Sequence, residues 1–218
     1  MYVAENKHII VYLFPQNGTP SELYFSMQVD FAIELGADDE TLEFPWAAAD
    51  GGPRYHDLKR EPKTLSLVEE AGRFPELKEL LATVNALATP LETAKCDAWA
   101  TTDINPEEEI FGTAWKFGSY VDLLFSDPSV RFSFEDHQTL LQQLTILLKR
   151  VPDIPASAEF LLRRCFYLEG ENVREGFYVT FYLFGYGSDE AKARQQWGIA
   201  LRLAGNAIGQ LSSRHFSL

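Results

Sequence analysis

Hydrophobic and polar positions alternate with a period of two over several stretches of this chain, and recur with a helical period over others. The stretch around which the chain is built is FLLRRCFYLEGENVREGFYVTFYLFGY, residues 160–186. This stretch predicts two strands joined by a polar turn over Glu169 to Gly176. On the second strand Phe177, Val179, Phe181 and Leu183 share one face, and Tyr178, Thr180, Tyr182 and Tyr186 the other. On the first strand Phe160, Leu162, Phe166 and Leu168 oppose Leu161, Arg163, Cys165 and Tyr167, with Arg164 a misfit on the apolar side. Pairing Leu168 with Phe177 makes the two apolar sets coincide, and a slip of one residue would mix them. That register puts Arg163 near Tyr182, Cys165 near Thr180 and Tyr167 near Tyr178.

Earlier in the chain, His8 to Phe14 (HIIVYLF) reads as a short strand ended by Pro15 and Asn17-Gly18. Leu23 to Glu34 alternates strictly and predicts a half-buried strand. Residues 36–63 are the least regular, and predict a long excursion over the surface. Helical pieces are expected over Leu65 to Ala71 and Pro75 to Leu87, the second with a stripe of Leu77, Leu80, Leu81 and Val84. Strands are expected over Glu92 to Thr101 and Ser119 to Phe125. Ser133 is placed to cap a helix to about Arg150, with Glu135 and Asp136 in its first turn. Ser188 is placed to cap the last helix, Asp189 to about Ser212, whose buried stripe is Trp197, Leu201, Ala204, Ile208 and Leu211. Gly198, Gly205 and Gly209 weaken that helix, and close approach to a sheet or partner would account for them.

The order helix, proline break, strand with a central cysteine, strand, helix occurs twice, around Cys96 and around Cys165. It suggests duplication of a helix–strand–strand unit over 75–132 and 133–214, with the first strands a degenerate third copy. The expected fold is therefore α+β and two-layered. It has one domain over 1–218, an antiparallel sheet of about six strands, and three main helices on one face.

Composition narrows the partners. The 218 residues carry 32 acids against 19 lysines and arginines, a net charge of −13. Phosphate backbones and anionic membranes are poor partners for such a surface, so neither nucleic acid nor membrane is expected. Two cysteines are few for a disulfide scaffold, the start lacks a secretory pattern, and no apolar run is long enough to span a bilayer. A cytoplasmic protein follows as the expectation.

Candidate chemistry lies on the sheet face turned away from the helices. Parity places there Tyr24, Gln28 and Asp30, then Lys95, Asp97 and Trp99, Tyr120 and Asp122, and Arg163, Tyr167, Tyr178 and Tyr182. Asp30, Asp97 and Asp122 sit in strand interiors, where aspartate is disfavoured and must be satisfied. Convergence would make them a weak metal site or an acid–base cluster, with Lys95 and Arg163 on an anionic ligand. The bland alternative is solvated cross-strand pairing. The long segment offers Trp46, Asp50, Gly51, Gly52, Arg54, Tyr55, His56, Asp57 and Lys59. Of these, Arg54 and His56 could hold an anion or shuttle a proton. The same segment could instead fold over the sheet face and merely cover it. Cys96 shares parity with Ala94 and Ala98 and is expected in the core; Cys165, beside Arg163, could be a thiolate, although inert burial is the better expectation for both. A Cys96–Cys165 disulfide stays open.

No nucleotide loop, zinc spacing or nucleophile elbow is present, and no cofactor is called for. The expected role is a non-enzymatic binding or protein-interaction domain using the polar-aromatic face. Its partner would be a protein or a small molecule, with a homodimer through the tyrosine-rich face as one form. The alternative is a hydrolase or transferase built on the carboxylates, with His56 as accessory base. A third reading is an adaptor that takes a peptide along a sheet edge.

Overall fold

The computed structural model describes residues 27–48, 52, 54–150 and 154–215. The expected strand at His8 to Phe14, the start of the Leu23 strand with Tyr24, and Asp50 and Gly51 lie outside these residues. The strands are β1 (Gln28–Glu34), β2 (Thr41–Phe44), β3 (Leu91–Thr101), β4 (Trp115–Phe125), β5 (Ala156–Glu169) and β6 (Asn172–Gly187). The helices are α1 (Glu69–Arg73), α2 (Pro75–Val84), α3 (Phe134–Leu148) and α4 (Glu190–His215), with 3₁₀ turns at Pro62–Leu67 and Pro106–Phe111. The class is α+β. The sheet runs β1-β5-β6-β4-β3, with β2 also paired to β5.

The sheet is mixed rather than antiparallel. β1 and β2 both run parallel to β5, one after the other along its length, while β3, β4, β5 and β6 are antiparallel neighbours. Parallel neighbours need a crossover. Here the long course from β2 through β3, β4 and α3 supplies it, so the first strands join at the far edge instead of forming a hairpin of their own. β2 was unforeseen, although Leu42 and Phe44 alternate with Thr41 and Glu43 inside the stretch read as irregular.

The β5–β6 hairpin is displaced from its expected register. Gly170 adopts φ +66°, a left-handed conformation open to glycine, and closes a two-residue turn with Glu169 opposite Asn172. Leu168 therefore faces Val173, and Phe177 faces Arg164. Arg163 lies opposite Tyr178, Cys165 opposite Gly176, and Tyr167 opposite Arg174. The shift is even, so each residue keeps its face. The polar run Asn172–Glu175, read as turn, is strand.

The inner face carries the main core: Ala158, Phe160 and Leu162 of β5, Val179, Phe181 and Leu183 of β6, and Phe117, Val121 and Leu123 of β4. Against it pack the expected stripe of α2, Leu77, Leu80, Leu81 and Val84, and from α3 Leu140, Leu141, Leu144 and Leu148, with Leu147 partly buried beside them. Ser133 caps α3, its hydroxyl accepting from the Asp136 N–H at 3.2 Å. Asp189 rather than Ser188 caps α4: its carboxylate accepts from the Lys192 N–H at 2.9 Å, an ionised acceptor at a helix N-terminus.

α4 lies over β6 and β4, with Trp197 fully buried beneath it. The indole packs on Phe117 at 4.7 Å and Phe74 at 5.9 Å, and its Nε1–H donates to Ser119 Oγ at 2.8 Å. Removing about 200 Å² of indole from water contributes roughly 5 kcal/mol at about 25 cal/mol per Å². The helix comes so close that a Cβ at Gly185 or Gly187 would collide with the backbone at Trp197 or Ala193. The close approach inferred from glycines thus sits chiefly on the strand. On the helix, Gly198 and Gly205 face Glu76 and Leu80 of α2, and a Cβ at Gly209 would meet no described residue within 4 Å.

We expect Gly185→Ala to cost about 3 kcal/mol or more through this overlap, and Gly209→Ala to stabilise by up to about 1 kcal/mol. Urea unfolding midpoints of the two variants check the pair.

Candidate functional site

Among the described residues, the outer sheet face is closed at both ends and half-open in the middle. At one end the 3₁₀ turn Pro106–Phe111 folds over it. Phe111 stacks on Tyr186 at 4.1 Å, and Glu108 accepts from the Tyr186 hydroxyl at 2.7 Å and from Lys116 Nζ at 2.8 Å. At the other end β2 and the chain after it bury a second apolar cluster of Leu42, Phe44, Leu124, Cys165, Tyr167 and Tyr178. Trp46, Tyr55 and Phe132 pack against its margin. The long segment therefore covers part of the face. Tyr178, expected as a contact residue, is 1% exposed and belongs to this core, as does Tyr167, whose hydroxyl donates to the Phe177 carbonyl at 2.8 Å.

Between the covers runs a ladder of half-buried rings: Trp99 on β3, Tyr120 on β4, and Tyr182 and Phe184 on β6. Trp99 lies 6.5 Å from Tyr120 and 6.2 Å from Phe184; Tyr120 and Tyr182 are 6.0 Å apart, and Tyr182 stacks on Phe184 at 6.2 Å. Gly118 makes room for it, since a Cβ there would stand 2.7 Å from the Phe184 ring. Phe184 was not foreseen, although its parity with Tyr182 in the YLF run places it on this face.

Beside the ladder lies a charged group whose members are mostly buried. Arg163 donates through Nε to Glu34 and through Nη1 to Glu40, both at 2.7 Å, and lies 3.3 Å from Thr180 Oγ1. Burial opposes its charge, but Glu34, Tyr178 and Glu40 outweigh burial and hold its pKa above the ordinary value. Arg163 is thus a framework residue. Thr180 in turn donates to Asp122 Oδ1 at 2.8 Å. Burial pushes the Asp122 carboxyl up to about 7, against the pull of Thr180 and Lys95. Glu34, Glu40 and Thr180 were missed because their partners lie on distant strands.

The three aspartates do not converge. Asp97 and Asp122 lie on neighbouring strands, but Asp30 is on β1 at the opposite edge, 80% exposed and 3.6 Å from Lys149. Each aspartate has a structural partner, since Asp97 Oδ1 accepts from the Ala98 N–H at 2.7 Å. No group of three metal-ligating side chains occurs among the described residues. The cysteines are free and on opposite faces. Burial pushes both thiols up to about 12, which disfavours the thiolate weighed for Cys165 against inert burial.

At β3, the last strand of the sheet among the described residues, the face meets a cavity of about 520 Å³, lined by Trp46, Arg54, His56, Lys95 and Tyr120 among others. The chain here is pinned from two sides. Lys59 Nζ donates to the carbonyls of Thr89 and Leu91 at 2.8 and 2.9 Å, and Trp46 Nε1–H donates to the Ala94 carbonyl at 2.8 Å. A bulge between Thr93 and Cys96 reverses the facing of β3, so Ala94 packs outward while Cys96 and Ala98 pack inward. Lys95, in the bulge, holds its ammonium 5.2 Å from the Trp46 ring centre. The five thus gather at one place: Lys95 and Tyr120 from the sheet, Trp46, Arg54 and His56 from the segment.

The chain matches no protein-family model, no curated protein and no solved structure. Its site is read from its own chemistry.

A carboxyl that is harder to ionise folded than unfolded contributes stability below its unfolded pKa and loses it as pH rises through the folded one. Asp122 therefore weakens the fold across about pH 4 to 7. We expect Asp122→Asn to gain stability over the wild type at pH 8, by up to a few kcal/mol, and to lose that advantage at pH 4. His137, whose pKa burial lowers, acts with the opposite sign. The check is the difference between variant and wild-type unfolding at each pH, in which His137 cancels.

Proposed function

We propose that this chain is a non-enzymatic binding domain, with its site where the ring ladder runs into the β3-edge cavity. The observation that carries the reading is Tyr120, which belongs to both: one continuous surface offers half-exposed rings backed by a rigid sheet and a recess beside them. Amphipathic rings held this way provide contact area at little cost in side-chain entropy. The partner is a protein, a second copy included, or a small molecule, in a cytoplasmic setting with reduced thiols. Nucleic acid and membrane stay outside the reading on charge. Among the described residues no helix is long and apolar enough to cross a membrane.

The hydrolase or transferase alternative keeps only Asp97 and Asp122, and the second is buried under Thr180. Capture of a peptide along β3 is weakened because Trp46 already occupies the Ala94 carbonyl and Asp97 the Ala98 N–H. The duplication belongs to the same proposal. The units α2-β3-β4 and α3-β5-β6 are each a helix followed by an antiparallel strand pair, and they join through their second strands, β4 and β6. This arrangement supports a repeated ancestor.

Native mass spectrometry and sedimentation of protein purified without denaturation test the binding reading. A second copy or a retained small molecule is expected, and Trp99→Ala with Tyr182→Ala should remove it while the fold persists by circular dichroism. A monomer that carries nothing and is unaffected by the double substitution would sink the idea.

A further inference from the structure

Side chains of both signs line the β3-edge cavity. Arg54, His56 and Lys95 line it from the long segment and the strand, while Glu69 and Glu70 line it from α1. None of the ion pairs or side-chain hydrogen bonds among the described residues engages Arg54, His56 or Lys95. In a chain with 32 acids and 19 lysines and arginines, three such bases around one recess run against composition. Their surroundings are apolar and aromatic, with Trp46 and Tyr120 on the wall and Leu58 and Leu81 buried behind. Trp46 is held by its bond to Ala94, so its ring is positioned before any ligand arrives.

We propose that this cavity binds a small planar organic anion, a monocarboxylate carrying an aromatic ring. Its carboxylate would meet Arg54, His56 and Lys95, and its ring would lie against Trp46 and Tyr120. The inference rests on the binding-domain reading and names the ligand class for it. Three features select the class. The bases provide charge-assisted hydrogen bonds for a carboxylate in a recess partly shielded from water. Glu69 and Glu70, which line the same cavity from α1, repel a polyphosphate more strongly than a single negative charge. An aromatic cation would compete with Lys95 for the Trp46 face and meet the Arg54 guanidinium. The volume of about 520 Å³ is within the usual range for small-molecule sites.

Calorimetric titration of the full chain with indole-3-acetate, acetate, tryptamine and ATP tests this. Indole-3-acetate is expected to bind, with acetate, tryptamine and ATP each at least about tenfold weaker. Lys95→Met should weaken indole-3-acetate about tenfold, whereas Lys78→Met, which removes the same charge from the exposed face of α2, should not. Equal binding of tryptamine, indifference to Lys95→Met, or no heat at millimolar indole-3-acetate would overturn the ligand class. If the class falls while Trp99→Ala with Tyr182→Ala still dissolves an assembly, the binding-domain reading survives it. If both measurements are blank, both readings fall.

Discussion

The packing of α4 onto β6 is the contact on which the rest of this fold depends. Two strand glycines remove the side chains that would hold the helix off, and Trp197 fills the space beneath, tied to Ser119. Because α4 lies over the sheet's middle, α2 and α3 can flank it and each still reach the inner face. Loosening the central helix would open both flanking interfaces, since their stripes pack against one shared core. The glycines and the indole therefore act as one unit, and substitutions at them should be strongly non-additive.

A sheet so firmly covered on one side can use the other for different ends. Here the outer face is divided into a dry end, a polar-capped end and an open middle. Beside the dry end Arg163, itself buried, is held by two carboxylates that reach toward solvent, and only loss of both would strand a desolvated charge. What this ion group provides is alignment: it connects the segment before β2 with β5 and, through Thr180, with β6 and β4. The wall of the cavity is thereby joined to the strands that carry the rings.

Much of this was legible in the residues. Period-two and helical patterns located β3 to β6 and α2 to α4, and parity put Trp99, Tyr120 and Tyr182 on the outer face. What escaped were properties of pairing. A parallel strand joined to β5 across more than a hundred residues leaves no local trace, so β1 and β2 could not be placed and the sheet was read as antiparallel. The hairpin was misread because polar residues in an exposed arm resemble a turn; only Gly170, able to take a left-handed conformation, marked the true one. Tyr178 was read as a surface residue because parity names a face without saying whether a distant segment covers it. The aspartates drew attention for their positions, yet a threonine, a backbone amide and a lysine satisfy them.

The bulge in β3 works like a change of reading frame. On the Thr101 side of it odd-numbered residues look outward, as Asp97 and Trp99 do; on the Leu91 side the even-numbered ones do, as Glu92 and Ala94. The strand's two halves are thus spelled in opposite phase, and the extra residue between them carries the lysine at the cavity. Deleting that lysine would leave one residue opposite Asp122 and restore a regular ladder, with each half still paired and faced as before. The extra residue is therefore not needed to build the sheet; what it adds is a side chain at the cavity. A strand one residue shorter would keep the fold and lose the lysine.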